Sequence, residues 1–505
     1  MKIYKYIITS FSIAVLASCT DLDEGLTSDA TADQATEFLI ENADYDALLE
    51  KVYRDFDGAF ISYENGTYAM NVISTDEGIC PSRPSGWDNG GEYRTLHQHT
   101  WDDTHPINNS VWGKLNRGNF DATNVLSFDP PEDVAAEARF LRAFFLWQLL
   151  DLWGQVPYRQ PNEDLLLAPT VLTGKEATDF IISEVEEVLP LLSTTNPPYR
   201  ASQNAARALL AKLYINRGVY ENREAPTFVD ADMDKVIQYV DAIGDKALDF
   251  YWDSFEPNNN EVSSEILFSI ESQGGVRVSA LWTMWYATLP SEIGGGWNGW
   301  AAMAEFYNSF EEDDIRRYYE HPVTTAENGV NVGFITQRYL DAYPQYTDDT
   351  ETELKPQIVF SQEISTIQGA GLFEGYRPLK YIPDYVNGWD QPDNDFVLLR
   401  YADMLLLKAE ALLRKGDAGT ALTIVNDIRT DRGVEALTSL DMETLLAERG
   451  RELYWEGHRR NDQIRYGTFL NAWALKEASD PMYLVYPIPA ADVIANPNLN
   501  QNPGY

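Results

Sequence analysis

Two stretches of this 505-residue chain place Trp and Tyr among glycines and planar polar side chains. Aromatic rings stack on the flat apolar faces of sugar rings, and Asn, Asp and Arg can bond to sugar hydroxyl groups. We therefore predict a saccharide site displayed by loops. The candidate residues of the first stretch are Asp76, Arg83, Trp87, Asn89, Tyr93, Arg94 and Trp101, and those of the second are Trp282, Trp285, Tyr286, Trp297, Asn298 and Trp300.

Only some of these rings can face solvent, and we expect about half of the candidate tryptophans to lie in the core. Trp297 and Trp300 follow a run of three glycines, and Trp87 follows another glycine. Glycine lets a loop adopt turns that present a side chain to solvent, so these three rings are predicted to be exposed. Trp112 and Trp147 lie on apolar helical stripes and are predicted to be core.

Metal chemistry has two candidate positions in the sequence. His97 and His99, with His105 nearby, have a spacing that can ligate zinc, but no Cys or recognisably spaced carboxylate completes the set. The acidic stretch 348–351 could form a calcium loop, although a solvated turn is the simpler interpretation. We predict no metal ligands and no cofactor, and the sequence leaves a structural calcium open.

Catalysis is the main alternative to binding. A surface glycoside hydrolase needs two carboxylates roughly 5–9.5 Å apart, and among 79 acidic residues no pair can be excluded. However, the chain has no nucleophile motif, phosphate-binding loop or metal signature. We predict a binding protein that is not an enzyme. A tetratricopeptide-like adaptor for other proteins is a third possibility, but it leaves the aromatic loops without a role.

Apolar periodicity predicts the elements that must hold these loops. A helix begins near Ala43, and others follow at 135–152, 175–193, 203–217 and 232–247. Helices resume at Phe396, and two of them flank a turn at Gly416 and Asp417, in the manner of a tetratricopeptide unit. The fold class is therefore mainly α, a tetratricopeptide-like helical scaffold with an inserted, irregular, loop-rich lobe.

The same patterns predict the domain organisation. Residues 1–18 read as a lipoprotein signal peptide and 19–38 as a polar tether. The N-terminal scaffold part spans 39–250 and includes a loop region at 60–110. A loop-rich ligand-binding lobe follows at 251–395. The C-terminal scaffold part, 396–505, ends in a strap.

The N-terminus predicts attachment to a membrane by lipid. Lys2 and Lys5 precede an apolar stretch that is too short for a permanent membrane span. It ends in Leu-Ala-Ser-Cys, which resembles a bacterial lipobox, so Cys19 is predicted to be lipidated. An ordinary secretory signal with an incidental Cys is the alternative. The acidic stretch 20–24 resembles the surface-export signal of Bacteroidetes lipoproteins. Cys80, the remaining cysteine, is predicted to be buried.

The charge of the chain restricts its partners. With 79 acidic and 38 basic side chains, the formal net charge is −41. Such a surface repels nucleic acid and anionic lipid, so we predict no nucleic-acid partner. It also favours a neutral polysaccharide or oligosaccharide over an anionic one.

Three groups of residues resemble the SusD/RagB family of nutrient-binding lipoproteins. They are residues 136–143 with 152–157, residues 399–411 with 426–429, and residues 448–459 with 486–489 and 496–505. The resemblance implies a SusD-like fold and a lipid-anchored protein of the outer membrane that faces the cell exterior. It also implies that the protein captures a glycan on an aromatic arc and passes it to a SusC-like TonB-dependent transporter. No short motif assigns the arc to particular residues.

The third group carries many charges. Glu448, Glu452, Glu456 and Arg460 recur at four-residue intervals, which places them on one face if the helix is continuous. With Arg449, Arg451 and Arg459 they could suggest an active site. We interpret them instead as a buried ion network that holds the scaffold, and the terminal Asn-Pro-Gly-Tyr segment as a strap across the fold.

Overall fold

The helices before residue 250 form an array in the computed structural model, which describes residue 40 and residues 42–338 and 358–505. From the fourth helix to the eighth, each packs against the next one along the chain. These helices are α1 (Tyr45–Phe60), α2 (Thr67–Ile73), α3 (Glu92–Gln98), α4 (Pro106–Leu126), α5 (Glu132–Trp153), α6 (Gly174–Val188), α7 (Gln203–Glu221) and α8 (Asp230–Asp241).

Helix α5 lies at the centre of this array. It contacts α1, α4, α6 and α7, so its apolar side chains are buried on all sides rather than along one stripe. A side-chain carbon at Gly118 of α4 would lie 2.3 Å from the ring of Phe145, so glycine is what lets the two helices approach. The helix ends at Gly154, whose φ of 71° is readily adopted by glycine. The helix predicted at 135–152 is confirmed.

The C-terminal helices continue the same array after the loop-rich lobe predicted at 251–395, here called the insertion. Helix α13 packs against α8 as well as against α14, and Asp417 caps α14 by accepting a hydrogen bond from the Thr420 N–H. The tetratricopeptide-like pair and the mainly α fold class are therefore confirmed. Helices α9–α12 belong to the insertion. The helices after residue 250 are α9 (Asn259–Val262), α10 (Trp282–Thr288), α11 (Ala304–Tyr307), α12 (Pro322–Asn328), α13 (Tyr401–Arg414), α14 (Ala418–Asp431), α15 (Met442–Leu453), α16 (Arg459–Arg465) and α17 (Ala490–Ala495).

The strands are short and pair antiparallel. They form the pairs β1–β5, β2–β3, β4–β11 and β8–β9 and one three-stranded sheet in the order β10-β7-β6. Two pairings tie the insertion to the rest of the chain, because β5 meets β1 and β4 meets β11. The strands are β1 (Gly78–Ile79), β2 (Gln155–Tyr158), β3 (Thr170–Thr173), β4 (Ile266–Ile270), β5 (Ala301–Ala302), β6 (Tyr318–Tyr319), β7 (Val332–Ile335), β8 (Gln337–Arg338), β9 (Ile358–Val359), β10 (Arg377–Leu379) and β11 (Phe396–Arg400).

Two local predictions are wrong. The sequence pattern predicts a helix from Phe396, but residues Phe396–Arg400 form β11, and the helix begins at Tyr401. A short apolar run buried on both faces fits a strand and a helix equally well, so periodicity alone could not separate them. The region 60–110, predicted to be loop, contains α2 and α3, which at seven residues each are too short to show a clear period.

The charged group of the C-terminal part is a buried network, as predicted. Glu452 accepts hydrogen bonds from Arg316, Arg400 and Arg432, and all four side chains are buried. The helical face is shorter than expected, because α15 ends at Leu453. Glu456 and Arg460 therefore lie beyond that helix, where Glu456 pairs with Arg400 and Lys380, and Arg460 with Asp151.

The last residues cross the fold as a strap. The side-chain amide of Asn502 donates to the carbonyls of Trp153 and Tyr486, at 2.9 and 2.7 Å. The hydroxyl of Tyr505 accepts from the indole N–H of Trp101 and donates to the carbonyl of Val485, each at 2.8 Å. These bonds connect the end of the chain to α5 and to the loop before α4.

Residues Asp44–Tyr505 form one compact unit. In the described part of the chain, no helix combines the length and apolar character needed to cross a bilayer. Cys80 is buried, as predicted. The signal peptide at 1–18, the lipidated Cys19, the tether at 19–38 and the acidic stretch 348–351 lie outside the described residues.

Candidate functional site

Five aromatic side chains form a continuous cluster, here called the aromatic platform: Tyr63, Trp87, Trp282, Tyr286 and Trp297. Trp297 is at its centre, with ring centroids 5.2 Å from Tyr63, 5.3 Å from Tyr286 and 5.8 Å from Trp282. Trp87 joins the cluster through Tyr63, at 5.8 Å. Trp297 is 37 % exposed and the other four are half-buried, so the platform is a ring-lined surface open to solvent.

Backbone hydrogen bonds hold Trp297 against α10. The Trp297 N–H donates to the Tyr286 carbonyl at 2.5 Å, and the Asn298 N–H donates to the Leu289 carbonyl at 2.8 Å. A side-chain carbon at Gly296 would lie 2.0 Å from the Leu289 carbonyl oxygen. Glycine is therefore needed here for close backbone packing, and this packing fixes the position of the Trp297 ring.

Trp87 reaches the platform from the other stretch of sequence. Its indole N–H donates to the Trp297 carbonyl at 2.7 Å, and its ring occupies the space that a side chain at Gly299 would need. Its φ is +71°, which is an outlier for a bulky residue. Such strain persists only where surrounding contacts hold it and is concentrated at functional sites. Trp87 and Trp297 are thus positioned by each other.

Polar side chains adjoin Trp87 in the chain. Asp88 and Arg94 form an ion pair at 3.3 Å, in which the Asp88 side chain is 69 % exposed. Asn89 is also exposed, in a short 3₁₀ turn before α3. Carboxylate, guanidinium and amide groups offer both donors and acceptors to hydroxyl groups. This edge of the platform can therefore form hydrogen bonds to a ligand that stacks on the rings.

Arg83 and Asn298 are buried and hold the loops together. Arg83 donates to the carbonyls of Gly299, Gly371 and Glu374, at 3.2, 2.5 and 3.0 Å. Burial lowers the pKa of Arg83 to about 10, so the guanidinium remains charged at neutral pH. Asn298 accepts from Arg377 at 2.9 Å and donates to the Leu372 carbonyl at 2.8 Å. Both are placed behind the surface on which they were expected.

Four of the candidate rings belong to the core, and the predicted exposure of Trp300 is wrong. Trp300 is 1 % exposed and stacks on Tyr68 with the ring planes 7° apart. It directly precedes β5, whose pairing with β1 draws it inward. The other buried candidates are Tyr93, Trp101 and Trp285. Trp112 and Trp147 are buried, as predicted.

Asp76 and the three histidines serve other contacts. Asp76 forms a bidentate ion pair with Arg459, with hydrogen bonds of 2.7 and 2.8 Å, in a cavity separate from the aromatic platform. His97 and His99 are buried against the carbonyls of Ala474 and Ser74, and His105 accepts the Asn108 N–H at the start of α4. Burial lowers the pKa of His97 to about 4. Among residues 42–338 and 358–505, no group of three or more His, Cys, Asp or Glu could hold a metal ion.

Tyr63 belongs to the platform but lies outside both predicted stretches. This residue lies between α1 and α2, thirteen positions before the first candidate stretch at Asp76, and it bridges Trp87 and Trp297. Its neighbours are polar and end in a glycine, which is the composition that marked the other two stretches. The local composition therefore marks Tyr63 as well, but the predicted stretch begins only at Asp76.

Two family models match the chain. The model described as the SusD family matches residues 264–483, and the model described as starch-binding associating with outer membrane matches residues 32–215. The starch-binding protein SusD of Bacteroides thetaiotaomicron is 27 % identical over 87 % of this chain and 85 % of its own. The SusD-like protein P25 of Formosa agariphila is 25 % identical over 75 % and 74 % of the two chains.

Solved structures share the fold. A SusD superfamily protein from Parabacteroides distasonis superposes with a TM-score of 0.72 over 94 % of this chain and 100 % of its own, at 19 % identity. A laminarin-binding SusD-like protein gives 0.68 over 92 % and 99 %, at 20 % identity. Surface glycan-binding protein A from Bacteroides thetaiotaomicron, in complex with laminarihexaose, gives 0.67 over 91 % and 98 %, at 19 % identity. These structures show the same fold, and the two family models, at residues 32–215 and 264–483, together with the relative SusD, show that the chain belongs to the SusD family.

Proposed function

We propose that this protein captures a polysaccharide or oligosaccharide on the aromatic platform and passes it, uncleaved, to a SusC-like TonB-dependent transporter of the outer membrane. The observation that carries the proposal is the cluster of Tyr63, Trp87, Trp282, Tyr286 and Trp297 at the surface. Monomeric proteins rarely expose clustered aromatic rings unless the rings bind something. Rings next to donors and acceptors suit a sugar chain, whose faces are apolar and whose edges are polar.

The proposed ligand is a neutral glycan. The formal charge of −41 opposes the approach of a polyanion. The relative from Bacteroides thetaiotaomicron is named for binding starch, and two structural neighbours are described with laminarin or laminarihexaose. These names make neutral glucans the first polymers to test on this chain. A sulfated or uronate polymer serves as the anionic control.

Trp297→Ala is expected to weaken retention on the bound polymer by about 2 kcal/mol or more, which is about 30-fold, because a central aromatic anchor dominates such an interface. The melting temperature should change by only a few degrees, since the ring is 37 % exposed. Affinity electrophoresis through gels containing starch or laminarin measures the retention.

The matched control is Phe120→Ala, which removes an exposed ring of α4 that is no part of the platform. It should migrate like the unchanged protein. Unaltered retention of Trp297→Ala on a polymer that holds the parent protein would contradict the site. Release of reducing ends from that polymer would contradict the absence of catalysis.

We propose that a lipid on Cys19 anchors the protein at the outer face of the outer membrane. One support is the lipobox-like sequence that ends in this Cys. Cys19→Ala is expected to move the protein from the membrane fraction to the soluble fraction, since acyl chains supply the attachment. Ultracentrifugation followed by immunoblotting measures this change. Cys80→Ala, at the buried cysteine, should stay with the membrane; membrane retention of Cys19→Ala would remove the anchor from the proposal.

A further inference from the structure

A second cavity, of about 340 Å³, lies between α11, α15, α16 and residues 468–473. It shares no residue with the aromatic platform. Trp473 and Phe306 contribute rings to its wall, and Gln463 contributes a side-chain amide. The polar lining also includes three carboxylates, Asp76, Glu305 and Glu443, with Ser309, Arg459, Thr468 and Asn471. The volume is at the lower end of the range for small-molecule sites, and it combines apolar surface with a few polar groups, as such sites do.

Two buried polar atoms of this cavity have no partner. Gln463 is 2 % exposed, yet its side-chain oxygen has no hydrogen-bond partner among the described residues. The indole N–H of Trp473 is also buried and unpaired in that part of the chain. Other buried polar atoms of the described chain also lack a partner, but this acceptor and this donor belong to residues that line one cavity, where a single ligand could supply both partners. A hydroxyl group does so, because it donates and accepts.

One charged pair of the lining, Asp76 and Arg459, is held by several contacts. Arg459 holds Asp76 through two hydrogen bonds, of 2.7 and 2.8 Å, and donates to the Leu446 carbonyl at 3.1 Å. A side-chain carbon at Gly450 would lie 2.8 Å from this guanidinium, so glycine makes room for it. Among the lining residues the Asp76–Arg459 pair is neutral, so Glu305 and Glu443 make the lining negative. Lys476 is outside the lining, with its ammonium 3.9 Å from the centroid of the Trp473 ring.

We propose that this cavity is a second saccharide site, which binds a neutral sugar of one or two rings. The proposal shares with the proposed function only the premise that the protein binds saccharides, and it uses different residues. Hydroxyl groups pair with the open atoms of Gln463 and Trp473 and with the carboxylates, while the rings of Trp473 and Phe306 cover the apolar face of the sugar. The carboxylates of Glu305 and Glu443, neither of which has an ion-pair partner among the described residues, repel a uronate.

The test uses the full chain, labelled with 5-fluorotryptophan, in a detergent without a sugar headgroup. Trp473→Phe assigns the Trp473 resonance in the fluorine NMR spectrum. D-glucose and maltose are expected to shift this resonance, with a dissociation constant on the order of 1 mM for so small a ligand. D-glucuronate should leave it unshifted at the same concentrations. Trp297→Ala should leave the response to glucose intact.

Gln463→Met is the variant that separates binding from folding. Replacing an unpaired buried oxygen by an apolar group of similar shape is neutral for stability, so the melting temperature should hold while the shift is lost. Gln98→Met is the matched control, since Gln98 lies near the same loop, against the Leu475 carbonyl, without lining the cavity. It should keep the shift.

Three results would overturn the proposal. The first is a Trp473 resonance that no neutral sugar shifts in the unchanged protein, a result that needs no variant to fold. The second is a response to methylammonium alone, which would make the cavity a cation site. The third is an undiminished shift in folded Gln463→Met. If Trp297→Ala loses polymer retention but keeps the Trp473 response, the platform and the cavity are separate sites. The proposal for one site can therefore be contradicted without contradicting the other.

Discussion

Glu452→Gln is expected to lower the free energy of unfolding by about 3–5 kcal/mol, because it removes one charge from a buried network and leaves its partners uncompensated. Glu452 is fully buried and accepts hydrogen bonds from Arg316 at 3.0 Å, Arg400 at 2.7 Å and Arg432 at 3.0 Å. Gln keeps the shape of the side chain, so the loss reports the charge rather than a cavity. Glu452 is the carboxylate that these three guanidinium groups share.

The pH dependence of stability follows from the same contacts. Burial raises the pKa of Glu452, but the charges of Arg432, Arg400 and Arg316 outweigh burial and hold it well below its usual range. Burial also raises the pKa of Glu448, but the charges of Arg316 and Arg451 outweigh it and lower this pKa to about 2. A lowered carboxyl pKa contributes stability that is complete above the unfolded value near 4.5 and is lost as the pH falls toward 2.

Urea unfolding followed by tryptophan fluorescence measures the effect at pH 7, with an unchanged m-value as the check that the folded state is the same. Glu443→Gln is the control on the same helix, since Glu443 is exposed, and it should change the free energy of unfolding by less than about 0.5 kcal/mol. In acid, Glu452→Gln should lose less stability than the parent protein. A loss under about 1 kcal/mol at pH 7 would contradict the network as the support of this part of the scaffold.

The scaffold was predictable because long helices carry their pattern locally. Helix α5 needs only its own residues to show an apolar period and a terminal glycine, and α13 with α14 shows a full helix–turn–helix unit. The sequence pattern does not predict secondary structure correctly where pairing between distant strands determines it. Strand β11 is continuous in sequence with α13, and only its pairing with β4 separates the two.

The site was predictable by region and not by residue. Trp297 and Trp300 follow the same glycines, yet one lies at the centre of the platform and the other stacks on Tyr68 in the core. The difference arises from the pairing of β5 with β1, a strand that lies far earlier in the chain. No local signal carries that information. Likewise, the spacing of the acidic residues on α15 indicated an ion network, but the partner Arg316 comes from the distant insertion.

Glu77→Gln is expected to raise the free energy of unfolding by about 3 kcal/mol at pH 7, which is the opposite direction to Glu452→Gln. Glu77 is fully buried, and one of its side-chain oxygens has no hydrogen-bond partner among the described residues. Burial raises its pKa to about 8, even though the charge of Arg459 acts to lower it. Folding therefore keeps this carboxyl protonated at neutral pH, whereas the unfolded chain releases the proton.

The sign of the effect follows from the raised pKa. The contribution of Glu77 is fully present below about pH 4.5 and is lost as the pH rises to about 8, at roughly 1.4 kcal/mol per pH unit. Gln is the neutral counterpart of the protonated carboxyl, and its oxygen can still accept the Trp455 N–H that Glu77 accepts at 3.3 Å. The substitution therefore removes the cost of keeping the proton without removing this contact.

Urea unfolding of Glu77→Gln and the parent protein at pH 4.5, 6, 7 and 8 measures the difference between them. The two should be nearly equal at pH 4.5 and diverge as the pH rises, with the variant the more stable. Glu305→Gln, at an exposed carboxylate, is the control and should give a constant difference near zero at every pH. A constant difference for Glu77→Gln would mean that the carboxyl ionises alike in both states. Since Glu77 directly precedes β1, a carboxyl that ionised easily there would mean that water reaches the β1–β5 junction, which would undermine the placement of Trp300 in the core.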